Sequence, residues 1–97
     1  LMSRIHAITA GEARFYTYLS QQGGAWMKAR AIQQSCAISE GSLHAYVKRF
    51  VELGLCEVLP MQPKRYRFIA PTSADGVTYH EMLKRVAEAI EREDFEP

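Results

Sequence analysis

The chain is poor in the residues that mark special chemistry. Cys36 and Cys56 are its only cysteines, with no Cys-x-x-Cys pair and no histidine pair beside them. That disfavours a structural zinc site or a disulfide-stapled scaffold and suits a reduced, cytoplasmic protein. The three histidines are scattered, so neither a metal nor another cofactor is expected. No apolar run approaches the roughly 18 residues that cross a bilayer, and no membrane association is expected. The N-terminal LMSRIHAITAGEARF carries one early Arg and no continuous apolar stretch, unlike a secretory leader. Leu1 ahead of Met2 fits either a vector-derived residue or a domain cut from a longer chain. There is no phosphate-cradling glycine loop, no carboxylate pair beside a base and no nucleophile motif, so an enzyme is not expected. Internal repeats and low-complexity segments are also lacking.

What remains is an ordinary globular composition, 47% hydrophobic and 24% charged over 97 residues. This is the size of one domain with a modest core. The net charge of +1 hides an asymmetry. Residues 28–67 carry Lys28, Arg30, Lys48, Arg49, Lys64, Arg65 and Arg67 against only Glu40, Glu52 and Glu57. Residues 70–97 reverse the balance, with Lys84, Arg85 and Arg92 against seven carboxylates. A basic middle and an acidic tail imply different surroundings for the two parts.

Periodicity divides the chain further. Thr9 followed by Glu12 is a capping-box signature. Ala13, Phe15, Tyr16 and Leu19 then fall at helical spacing, and Gly23-Gly24 ends that helix near Gln21. Trp26-Met27 suits a very short strand. A short helix over 29–36 places Ile32 and Cys36 on one side, and Cys36 reads as a small buried hydrophobe rather than a redox sensor. Ser39 is a good N-cap for a helix whose apolar stripe is Leu43, Tyr46, Val47, Phe50 and Leu53. Gly54 suits a left-handed cap at its end. LCEVL (55–59) and RYRFI (65–69) read as strands around a loop stiffened by Pro60 and Pro63. Tyr66 and Phe68 fall on one strand face, Arg65 and Arg67 on the other. Phe15, Tyr16, Trp26, Tyr66 and Phe68 are expected in the core rather than as a base-stacking platform. After a linker over 70–76, a last helix from about Asp75 to Glu93 carries Val77, Tyr79, Met82, Leu83, Val86, Ala89 and Ile90.

This order, with RAIQQSCAISEGSLHAYVKRFVELGLCEV (30–58) followed by PMQPKRYRF, resembles the winged helix-turn-helix domain of bacterial transcription regulators such as the MarR and PadR groups. The resemblance covers roughly residues 9–69. Ile32, Cys36, Ile38, Leu43, Val47, Phe50 and Leu55 sit at the expected core positions. Two departures stand out: Gln33 occupies a position that is usually small, and Ala37 a turn position that is usually Gly. The resemblance implies an α+β, mainly α, fold: a three-helix core, a β-hairpin wing and an additional C-terminal helix. It divides the chain into a DNA-binding part, 1–70, and a C-terminal helix, 71–97, that would pair with its twin.

The function implied is sequence-specific binding of double-stranded DNA by a homodimeric transcription regulator. The helix over 39–53 would enter the major groove, presenting Ser39, Gly41, Ser42, His44, Ala45, Lys48 and Arg49. The wing over 60–67 would lay Lys64, Arg65 and Arg67 along the backbone or in the minor groove. Lys28 and Arg30 would clamp phosphate. Tyr79, Met82, Leu83, Val86, Ala89 and Ile90 would form the dimer seam. Plainer readings stand beside each of these. A polar helix face is often only solvated, a charged hairpin only guards a sheet edge, and the last helix can pack back on the first. A winged-helix module that binds protein within a larger assembly is the rival function.

Overall fold

The computed structural model describes residues 8–92. Four helices and three short strands follow in the order α1 (Ala10–Ser20), β1 (Met27–Lys28), α2 (Ala29–Cys36), α3 (Glu40–Glu52), β2 (Cys56–Leu59), β3 (Arg65–Phe68) and α4 (Ala74–Glu91). The strands form one antiparallel sheet in the order β1-β3-β2, with Tyr66 opposite both Met27 and Val58. The β2–β3 hairpin is the wing.

Local chemistry sets the element ends. The Thr9 hydroxyl accepts the Glu12 N–H at 3.1 Å, and Ser39 and Ser73 do the same for Ser42 and Gly76. Each satisfies one of the donors that a helix start leaves unpaired. At the far end of α3, Gly54 takes φ +74°; its N–H donates to the Val51 carbonyl and that of Leu55 to Phe50. That pair of bonds is a Schellman motif, the stop expected of Gly54. Ala37 closes α2 in the left-handed region at φ 56°, ψ 48°, the strained conformation that Gly would adopt freely.

The core gathers Phe15, Tyr16 and Leu19 of α1, Ile32 and Cys36 of α2, Leu43, Val47 and Phe50 of α3, Leu55 beyond it, and Cys56 and Tyr66 of the sheet. Phe15 stacks on Phe50 at 5.4 Å, and Tyr16 meets Phe50 edge-on at 5.3 Å. Tyr79 and Leu83 of α4, each 1% exposed, complete it.

Three expectations need correction here. Tyr79 and Leu83 are not free for a dimer seam, because α4 lies on α1 and buries both in the chain's own core. Val77 leaves the apolar stripe and is 43% exposed. Trp26 is half-buried beside the sheet rather than in the core, under the guanidinium of Arg67 at 4.6 Å. The last helix starts one residue earlier than the periodicity predicts, capped by Ser73. Glu93, expected at its end, lies outside the described residues.

Candidate nucleic-acid interface

The interface is built on α3. Burying Leu43, Val47 and Phe50 turns the opposite side of the helix outward, and Gly41, His44, Ala45, Lys48 and Glu52 are all exposed there. Nothing lies within 4 Å of a side chain added at Gly41, so another molecule can approach the backbone closely at that point. Ser39 and Ser42 are partly engaged at the cap: the Ser39 hydroxyl accepts the Ser42 N–H and donates to the Ser42 hydroxyl, both at 3.1 Å. His44 Nε2 stands 3.7 Å from the Glu40 carboxylate one turn earlier.

Between α3 and the wing runs a cleft of about 400 Å³ with an apolar floor of Val47, Val51, Val58 and Tyr66. His44, Lys48 and Glu52 of α3 and Lys64 of the wing loop line its walls. The helix and the wing therefore present ammonium groups to the same groove. Burial holds the Tyr66 hydroxyl above its ordinary pKa range, so it stays a neutral hydrogen-bonding group there.

The sheet adds a second cationic pair. Lys28 lies directly opposite Arg65 across β1 and β3, an arrangement that is repulsive by itself. Among the described residues, Lys28, Arg30, Lys48, Lys64 and Arg65 have no carboxylate within ion-pair distance. The Arg65 side chain donates from Nη1 to the Pro63 carbonyl at 3.3 Å. These five cations are available to an anionic partner.

Two candidate residues are drawn elsewhere. Arg67 donates from Nε and Nη2 to Oε1 of Glu57 at 2.8 and 2.7 Å, while its guanidinium covers Trp26. The cross-strand register that sets Glu57 opposite Arg67 explains this pairing. Arg49, expected to contact DNA from the flank of the apolar stripe, turns inward and reaches Oε2 of Glu12 at 3.5 Å. Its position three residues after Tyr46 and four before Leu53 tilts it toward the buried side.

Sequence reasoning assigned Glu12 to a cap, yet its carboxylate is 1% exposed and receives the Tyr79 hydroxyl at 2.6 Å. A signal was present, because Glu12, Phe15, Tyr16 and Leu19 fall on one helical stripe. The capping-box pattern explained the same residue more simply and hid it.

Neither a protein-family model nor a curated protein matches the chain. The solved structures that share its fold include two crystal structures. NadR in complex with 4-hydroxyphenylacetate superposes with a TM-score of 0.58 at 21% identity, over 90% of this chain and 59% of that one. The oxidized form of MarR from E. coli gives a TM-score of 0.57 at 16% identity, over 98% of this chain and 69% of that one. The chain thus has the winged-helix fold of MarR-type regulators and spans 59% of the length of NadR. The MarR superposition, at 98% of this chain, takes in α4, which packs on α1.

Proposed function

We propose that this chain is the DNA-binding part of a transcription regulator, with α3 in the major groove of double-stranded DNA and the wing on the adjacent backbone or minor groove. The observation that carries the reading is the set of unpaired cations around α3 and the wing: Lys48 and Lys64 on the same cleft, and Lys28 opposite Arg65. Facing like charges without carboxylate partners are repulsive, and a polyanion relieves that cost. The small residues Gly41 and Ala45 let the helix approach base edges, and His44 and Ser42 supply hydrogen-bonding groups. Glu40 and Glu52 disfavour phosphate at the rims of this surface, which directs the backbone toward the lysines.

Arg49 and Arg67 are left out of the contact set because Glu12 and Glu57 occupy them. For the homodimer, the remaining surface is the flank of α4 that carries Val86 and Ala89, both half-buried, since Met82 packs against the chain's own core. Ile90 is less available, since it lines a cleft with α1 and α2.

The test is selection of duplexes from a randomised library, followed by titration. Lys48→Ala and Lys64→Ala should each lower affinity and reduce the salt slope by about one. The rival class, a protein-docking module, predicts no saturable, salt-dependent binding to any duplex.

A further inference from the structure

Glu12 is the one charged side chain among the described residues that is buried. The helix cap does not need its carboxylate, because the Thr9 hydroxyl already accepts the Glu12 N–H. Instead the side chain turns inward, and a single oxygen, Oε2, meets two other helices. Tyr79 of α4 donates its hydroxyl to it at 2.6 Å. Arg49 of α3 brings Nη1 to 3.5 Å of the same atom. That Nη1 is buried and makes no hydrogen bond among the described residues, so the carboxylate is its electrostatic partner. A second polar contact runs alongside: Thr9 Oγ1 and the Tyr46 hydroxyl of α3 are 3.2 Å apart. Thr9 and Glu12 are one turn apart on α1, as are Tyr46 and Arg49 on α3.

Such an arrangement is a poor way to gain stability. Buried ion pairs recover little more than their desolvation cost, and apolar side chains of similar volume hold cores as well or better. What a shared oxygen supplies is direction, since hydrogen bonds and ion pairs depend on geometry as apolar packing does not. Direction matters for α3. Its outer-face atoms lie about 5 Å from the helix axis, so a rotation of about 15° carries them about 1.3 Å. That displacement exceeds the tolerance of a hydrogen bond to a base edge.

We propose that Glu12, Arg49 and Tyr79 are positioning residues: the α4 tyrosine orients the α1 carboxylate, and the carboxylate fixes the rotation of α3 through Arg49. The seat of α4 and the aim of the outer face of α3 are thereby linked through one atom. This rests on the DNA-binding reading for its functional meaning and on the intramolecular geometry for its existence.

Tyr79→Phe is the decisive variant, because it removes only the hydroxyl and leaves every cation in place. Two readouts apply, both taken well below the melting temperature so that the chain stays folded. The first is the backbone amide shifts of Gly41, Ala45 and Lys48 in the free protein. The second is affinity for a duplex selected by the wild-type chain, against a scrambled duplex of the same length. The expected result is moved amides at those positions, binding to the selected duplex weakened about tenfold, and affinity for the scrambled duplex unchanged. Glu12→Gln should behave likewise. The triple variant Glu12→Met, Arg49→Met, Tyr79→Phe should keep the melting temperature while losing the preference for the selected duplex. Unmoved α3 amides with an unchanged preference would overturn the proposal. If the wild-type chain selects no duplex, the DNA-binding reading fails and the amides alone decide: shifts that reach Gly41, Ala45 and Lys48 support the relay, and their absence overturns it.

Discussion

At the residue scale, several positions carry conflicts that mutation can expose. Ala37 sits in the left-handed region at φ 56°, which costs an L-residue about 1–2 kcal/mol. Glycine relieves that strain and adds unfolded-chain entropy worth about 0.5–1 kcal/mol. Strain wins, so Ala37→Gly should stabilise by about 0.5–1 kcal/mol and raise Tm by about 2–8 °C in a thermal melt. Gly76 presents the opposite case. A Cβ there would stand 2.5 Å from the Leu53 carbonyl oxygen, a backbone atom that cannot swing away. Ala gains about 1 kcal/mol of helix propensity, while forcing the start of α4 off the end of α3 costs about 1–3 kcal/mol. Gly76→Ala should therefore lower Tm. Burial also perturbs titration. It pushes the Cys56 thiol up from 9.0 to about 11 and holds the Tyr16 and Tyr79 hydroxyls well above 10.0. Raised folded-state values mean that stability is intact below the unfolded values and is lost as pH climbs through the folded ones. Melts from pH 7 to 11 should show a constant Tm to about pH 8.5 and a progressive fall above pH 9. A Tm that stays flat to pH 11 would show these groups to be solvated.

At the element scale, most of the fold is legible before any coordinates. The caps at Thr9 and Ser39, the Schellman stop at Gly54 and the period of α3 are local, and local rules read them correctly. The strand face shared by Tyr66 and Phe68 follows from alternation alone. Cross-element facts are harder. That Glu57 faces Arg67 depends on hairpin register, and register depends on a loop containing two prolines whose path the residue pattern does not specify. Arg49 shows the same limit: its place beside the apolar stripe allows either direction, and a buried carboxylate on another helix draws it inward. For α4 the stripe from Tyr79 onward is legible as apolar, Val77 is not part of it, and the choice between its own α1 and a second copy is not encoded in the stripe itself. The exposed Arg67–Glu57 pair should matter little for stability. Glu57→Ala should cost at most about 1 kcal/mol and lower Tm by less than about 8 °C, and it frees Arg67 to strengthen nonspecific DNA binding in a low-salt titration.

At the scale of the whole molecule, charge separation gives the chain a direction. The cations without carboxylate partners among the described residues include Lys28 of β1, Arg30 of α2, Lys48 of α3 and Lys64 and Arg65 of the wing, while acidic residues dominate α4, and an anionic partner is drawn to the first group and repelled by the second. The fold is shared with NadR and MarR, and in the proposed reading α3 meets such a partner. We propose pairing through the Val86 and Ala89 flank of α4; to read successive major grooves, the two copies of α3 must then lie about one helical turn of DNA apart. Light scattering should then return the mass of two chains, and Val86→Glu should halve it. The most direct test of the central claim is a salt titration of binding to a library-selected duplex, followed by fluorescence anisotropy. Five available cations per chain predict a slope of log affinity against log salt of about −4 to −5 for one chain and about −9 for a pair. No saturable binding to any duplex at about 50 mM salt, or a slope near zero, would contradict the account.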